Sequence, residues 1–155
     1  MGEFFAWTRD EYIVSTDVAK ISLDVVHDFL ANESAWAKDI PRRTVERAIE
    51  HSLCFSLLMR SNDGDKQIGF ARVISDRATI AYLGDVFVLA PHRHKGLARW
   101  LMACVMSHPE LQGLRRWMLL TSDAHGLYEK FDFTAVAAPD KWMEKFVPNT
   151  YKNTN

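Results

Sequence analysis

The 155-residue sequence predicts a single mixed α/β domain, with one sheet of about six to seven mostly antiparallel strands, about four helices and one parallel β-α-β crossover. Three features carry that expectation. The first half alternates short strand-like runs, and Asn62-Asp63-Gly64-Asp65 is a hairpin signal between two of them. Residues 78–89 form a longer run, apolar on both alternating faces except at Asp85, as a central strand covered on both sides requires. Leu97, Leu101, Cys104, Val105 and His108 then make a helical stripe ending at Pro109, before a further strand from Arg115 to Thr121. Strand, helix and strand at these connection lengths form a right-handed parallel crossover.

Taken in order, residues 1–10 read as a loose terminus, and Tyr12 to Thr16 as a first short strand closed by Asp17. From Ser22, an N-cap, the residues Leu23, Val26, Phe29 and Leu30 fall on one helical face, with Asp24 favourable in the first turn. A polar loop from Asn32 to Ile40 leads to a second helix, opened by Pro41 and striped by Val45, Ala48 and Ile49. Leu53 to Arg60 and Gln67 to Ile74 are the two arms of the hairpin. After the crossover come a short helix from Ala124 to Phe131, a strand from Phe133, and a last strand candidate from Trp142 to Val147. Residues 148–155 read as loose, so 1–155 is one domain.

Composition narrows the class. With 48% hydrophobic residues the chain can bury a core without metal or disulfide, and a formal charge of -1 gives no basic excess for nucleic acid. Cys54 and Cys104 each sit in an apolar run, as reduced core residues of a cytoplasmic protein do. No apolar run is long enough to cross a bilayer, and the N-terminus from Met1 lacks a signal-peptide layout. His92 with His94, and His51 with Cys54, lack the companion ligands of a zinc site, so no metal is expected.

The stretch Arg93-His94-Lys95-Gly96-Leu97-Ala98 joins the central strand to the helix behind it. A glycine turn feeding a helix start offers unpaired N–H groups and a positive dipole end to an anion, phosphate above all. It lacks the second glycine of a Walker A loop and the three glycines of a dinucleotide fingerprint. Its form, Arg-x-x-Gly-x-Ala, resembles the pyrophosphate-binding pattern of the GNAT superfamily of N-acetyltransferases. Ala124-His125-Gly126-Leu127-Tyr128-Glu129-Lys130-Phe131-Asp132-Phe133 is similar to the family's Ala-x-x-Leu-Tyr-x-Lys-x-Gly-Phe segment, in the right order and spacing. Asp132 departs from the pattern, standing where glycine is usual and a positive φ is wanted.

The resemblance implies acetyl-CoA as acetyl donor and a primary amine, small-molecule or protein, as acceptor, with no nucleic-acid or membrane partner and with a homodimer as a further expectation. It also implies that the strands before and after the crossover splay apart. Phe87, Val88 and Leu89 would then meet pantetheine through main-chain groups, while Arg93, His94, Lys95, Gly96, Leu97, Ala98 and Arg99 hold the pyrophosphate. Thr121 stands where many members carry Asn toward the pantetheine, and Ala124 begins the helix bearing Tyr128. Tyr128 matches the family's general acid to the thiolate; a phenol stays protonated at neutral pH yet can donate to a sulfur anion.

Asp85 admits two readings, a general base or water-positioning group, or a structural carboxylate paired with Arg72. Trp36, Arg72, Tyr82 and His125 are candidate acceptor contacts, and Lys38, Arg42 and Arg43 would add cations suited to a carboxylate or phosphate on the acceptor. A solvated basic loop and a helix-start histidine facing water are the plainer alternatives. At the level of function, the rivals are a non-catalytic acyl-CoA-binding sensor and a phosphate-binding regulatory domain.

Overall fold

Six strands lie side by side in chain order as one sheet. The computed structural model describes residues 2–152. Strands β1 (Ala6–Arg9), β2 (Tyr12–Ser15), β3 (Leu53–Met59), β4 (Lys66–Ser75) and β5 (Ile80–Val88) pair antiparallel, each with the next. The last strand, β6 (Arg116–Leu119), lies parallel to β5, as the crossover requires. Helices α1 (Leu23–Asp28) and α2 (Arg42–Glu50) cover one face, and α3 (Leu97–Ser107) with α4 (His125–Glu129) the other. No helix among the described residues is long and apolar enough to cross a membrane.

Local chemistry accounts for these boundaries. Ser22 caps α1 by accepting from the Val25 N–H, and Gln67 ties that cap to the sheet by accepting from the Ser22 N–H at 2.6 Å. After Asp28 the helix widens into a π-turn, Phe29–Glu33, which buries Phe29, Leu30 and Ala31 before the chain leaves for the loop carrying Trp36. The β3–β4 hairpin turns through Gly64, as the sequence predicts. Gly69, inside β4, is required by close approach: a Cβ there would come within 2.7 Å of the Phe87 carbonyl oxygen.

The sheet separates two buried clusters. On the α3 side lie Phe55, Leu57, Ala71, Val73, Ala81, Leu83, Leu101, Met102 and Val105. On the α1–α2 side lie Val26, Phe29, Leu30, Val45, Cys54, Phe70 and Phe87. Ala81 and Phe87 belong to opposite clusters although they stand an even number of positions apart on one strand. A bulge explains this. Between the pairs Arg72↔Gly84 and Phe70↔Phe87, Ala71 on β4 stands against both Asp85 and Val86 on β5, and Asp85 adopts φ 53°. The extra residue reverses the inside–outside phase for the rest of the strand.

Two expectations about the chain ends need correction. Ala6–Arg9 is no loose terminus but a strand paired with β2, and the Phe5 N–H donates to the Thr16 hydroxyl at 2.9 Å. In the last segment, neither the stretch after Phe133 nor Trp142 to Val147 is a strand, and residues 139–150 are all exposed. Strand propensity alone does not make a ladder; the segment meets the edge strand β6 through a side chain, with the Trp142 ring 5.4 Å from the Arg116 guanidinium. Residues 148–152 turn back, with the Lys152 N–H donating to the Asn149 carbonyl and Tyr151 packing on the α1–α2 cluster, while 153–155 lie outside the described residues.

Candidate active site

The site follows from where the β5–β6 ladder stops. Pairing runs only from Ile80↔Arg116 to Leu83↔Leu119, while β5 continues to Val88, so residues 84–88 have an open edge beside the end of β6. In an antiparallel ladder alternate residues turn their main-chain groups to opposite sides. The Leu89 N–H donates to the Ile68 carbonyl at 2.8 Å, so Leu89 and Phe87 face β4 and Val88 faces the open edge. The three-residue main-chain contact surface expected at Phe87, Val88 and Leu89 therefore narrows to Val88. Its carbonyl already accepts from the Arg93 Nε at 2.8 Å, which leaves the Val88 N–H.

That same bond fastens the turn to the strand. His94 and Gly96 both have positive φ, 64° and 73°, and the chain enters α3 from Gly96 with no side-chain cap. The first intrahelical bond runs from the Trp100 N–H to the Gly96 carbonyl, so the N–H groups of Leu97, Ala98 and Arg99 precede it. Apart from its own chain neighbours, no atom lies within 4 Å of where a Gly96 Cβ would be. The result is an open, positively polarised helix start of the kind that receives phosphate. His94, Lys95 and Arg99 are exposed around it, whereas the buried Leu97 side chain roots the helix in the core.

Tyr128 sits in the same buried cluster as Val88 and Leu97, only 9% exposed and edge-on to Phe133. Burial pushes its phenol up from the ordinary tyrosine range, and the charge of Asp123 adds to the shift. Among the described residues its hydroxyl has no hydrogen-bond partner. Its short helix is closed by a left-handed residue: Asp132 has φ 67°, the Phe133 N–H returns to the Tyr128 carbonyl, and the Asp132 N–H to that of Glu129. Aspartate thus takes the position that the resembled pattern gives to glycine. The Thr121 hydroxyl oxygen accepts from the Ala124 N–H at 3.0 Å, which makes it a turn-former ahead of α4. His125 is exposed at the start of α4.

On the other face of β5, Asp85 is held from two directions. Its Oδ2 accepts from the Arg72 Nε at 2.7 Å and its Oδ1 from the Trp36 Nε1 at 2.9 Å. The pairing with Arg72, one of the two readings of Asp85, is present. Arg72 also donates from Nη1 to the Ser52 hydroxyl at 3.1 Å, a partner that no sequence signal marks because the register alone brings it there. Tyr82 lies on this face with its ring against Gly84, where a Cβ would come 3.3 Å from it. Its phenol is raised by burial and by Asp85. Cys54, the cross-strand neighbour of Arg72, is buried and its thiol is pushed up to about 12, again chiefly by burial. Two of the expected acceptor-side cations are engaged elsewhere: Arg42 pairs with Asp24 at 2.6 Å beside a surface hollow between α1 and α2, and Arg43 stands with Glu46 and Glu50 around another on α2.

A sheet parted beside an uncapped, positively polarised helix start, with a buried phenol and a paired carboxylate on the strands and helix around it, defines a cleft-bearing α/β domain. Comparison with known proteins narrows that class. Residues 54–135 match the family model of the acetyltransferase (GNAT) domain. A Gibberella zeae protein that carries an acetyltransferase name is 35% identical over 80% of this chain and 79% of its own. A crystal structure from Xanthomonas campestris pv. campestris, assigned to the GNAT family, is 53% identical with a TM-score of 0.84, covering 90% of this chain and 96% of that one. A Clostridium acetobutylicum protein solved with acetyl-CoA shares the fold at 16% identity, with a TM-score of 0.64 over 87% and 94% of the two chains. The chain belongs to the GNAT acetyltransferase family.

Proposed function

We propose that this protein transfers the acetyl group of acetyl-CoA to a primary amine by direct attack within a ternary complex. The observation that carries the reading is the meeting of three features around one buried cluster: the open β5 edge at Val88, the bare helix start behind Gly96, and the unpartnered Tyr128 phenol. The residues present fit the donor. Leu97, Ala98 and Arg99 offer N–H groups to its pyrophosphate, and the Val88 N–H suits an amide or carbonyl along the open edge. Acetyl-CoA supplies an activated thioester; the chain supplies positions and protons.

In the forward reaction an N–C bond forms as the C–S bond breaks. Tyr128 gives its proton to the departing sulfur and regains one from solvent, and its raised phenol keeps that proton in place throughout the neutral range. Asp85 orients the amine, or a water that takes the amine's proton, through the lone pairs that Arg72 and Trp36 leave open. A second reading, a non-catalytic acyl-CoA sensor, draws on the fact that both Asp85 oxygens are already engaged. Free-thiol release from acetyl-CoA across a panel of primary amines separates the two. Turnover with any amine supports the enzyme; acetyl-CoA binding with no turnover on any of them overturns it in favour of the sensor.

A further inference from the structure

Resting on that transfer reading, we infer that the acceptor is an aromatic or otherwise apolar primary amine, bearing no carboxylate or phosphate near its nitrogen. The argument begins with charge. Asp85 and Arg72 neutralise one another at 2.7 Å, and their side chains are only 12% and 18% exposed. Arg72, its charge offset by Asp85 and its Nε and Nη1 already bonded, is thereby a weakened receptor for an acceptor's anionic group, and Arg42 and Arg43 are engaged or directed elsewhere. An acceptor carrying its own carboxylate or phosphate beside Asp85 would lose hydration without gaining a partner.

Two aromatic side chains, Trp36 and Tyr82, stand beside Asp85. The Trp36 indole is tied by its N–H to the carboxylate yet is 56% exposed, so its orientation is fixed while much of its surface stays open. Behind it the buried Phe29, 6.2 Å away and stacked on the buried Phe87 at 4.0 Å, backs the indole and anchors it to β5. Tyr82 adds a ring on the other side of the Asp85 bulge, over Gly84. Each carboxylate oxygen of Asp85 accepts one protein N–H and has capacity for a second. An ammonium can use that capacity while its apolar remainder covers the indole, through contacts that combine apolar burial with cation–π attraction.

Lys38, exposed on the same loop and in no ion pair among the described residues, is the group that a carboxylate or phosphate acceptor would use instead. Thiol-release kinetics at saturating acetyl-CoA decide between them, with 2-phenylethylamine, butylamine, β-alanine and phosphoethanolamine as acceptors. The expected kcat/KM for 2-phenylethylamine exceeds those of the two anionic amines by about ten-fold or more, with butylamine between. Trp36→Ala should raise the 2-phenylethylamine KM by about ten-fold without moving the acetyl-CoA KM, and Trp36→Phe should restore most of that loss. A preference for β-alanine or phosphoethanolamine that disappears in Lys38→Ala would overturn the inference. If no amine is turned over, calorimetric titration of 2-phenylethylamine into the CoA-saturated protein still tests it. Binding that is weakened by Trp36→Ala and missing for β-alanine upholds the acceptor site while sinking the transfer reading; no binding sinks the inference.

Discussion

At the scale of single residues, Tyr128 and Asp85 are the two to which the proposed transfer gives proton-handling roles, and each role has its own test. Tyr128 is a buried phenol with its proton retained, so Tyr128→Phe removes one hydroxyl and little packing. We expect kcat to fall by roughly ten-fold to a thousand-fold, with acetyl-CoA affinity nearly unchanged. Because the phenol is raised from its ordinary value near 10, loss of this acid should produce no fall in kcat at pH values below that range. Wild-type turnover in the variant would make Tyr128 a packing residue. Asp85→Asn tests the carboxylate: a proton-handling role predicts a shifted or missing acidic limb in kcat/KM, whereas a purely structural role predicts lower stability with an unshifted profile. Some loss is expected in either case, about 1–3 kcal/mol, because Arg72 loses a charged partner in a mostly buried setting. Both residues were legible in the sequence, Tyr128 through its motif and Asp85 through its oddity in an apolar strand. Ser52 was not, since only the pairing of Cys54 with Arg72 brings the Arg72 side chain beside it.

Among the elements, the β5–turn–α3 unit does most to define the site, and its geometry has two separable sources. The bulge at Asp85 reverses the phase of β5, which sends Phe87 toward the α1–α2 cluster and Val88 toward α3. The left-handed Gly96 then lets the chain enter α3 with its first N–H groups bare. Gly96→Glu should therefore abolish acetyl-CoA binding in calorimetric titration while leaving α3 in place. The substitution adds a like charge where phosphate would sit and leaves core contacts untouched, since space around Gly96 is open. The left-handed φ adds strain of about 1 kcal/mol, too little to unfold a domain of this size. Unaltered affinity in a folded variant would remove the phosphate assignment. Local signals made this unit readable: the apolar run, the glycine, the 3.6-residue stripe. The same holds for α2 and the β3–β4 hairpin, each announced by residues inside it. Edge elements were misread for the opposite reason. Ala6–Arg9 becomes a strand because β2 pairs with it, whereas Trp142 to Val147 forms no ladder even though Trp142 reaches Arg116 on the edge strand β6. The bulge was equally hidden, as a count of residues on one strand cannot show how many face them on the next.

For the molecule as a whole, the buried His108 joins the end of α3 to the β1–β3 side of the sheet and gives stability a pH dependence. Its imidazole, 1% exposed, lies 4.8 Å from Phe5, 5.6 Å from Phe55 and 6.3 Å from Trp7 by ring centroids, so the segment leading into β1 and β1 itself dock on it. The Glu110 N–H donates to its Nδ1 at 3.2 Å, a bond that the neutral ring accepts. Burial holds its pKa below the ordinary 6.5; Glu110 pulls the other way and Arg77 adds to the lowering. A histidine with a depressed folded-state pKa binds fewer protons folded than unfolded. Its contribution is therefore complete above about pH 6.5 and is lost as pH falls from there through the folded value. Thermal melts should show Tm declining from pH 7 toward pH 5, as the unfolding free energy falls by at most about 1.4 kcal/mol per pH unit for this one group. His108→Gln, which keeps an acceptor for Glu110 but does not titrate, should lower stability at pH 7 and flatten the slope. Hydrogen exchange in β1 gives the second readout: if His108 is what docks that strand, its amides should lose protection ahead of those of β3 and β4 as pH falls. Parallel slopes in wild type and variant, with β1 exchanging in step with the rest of the sheet, would mean that the pH dependence arises elsewhere and that β1 is held by its pairing with β2 alone.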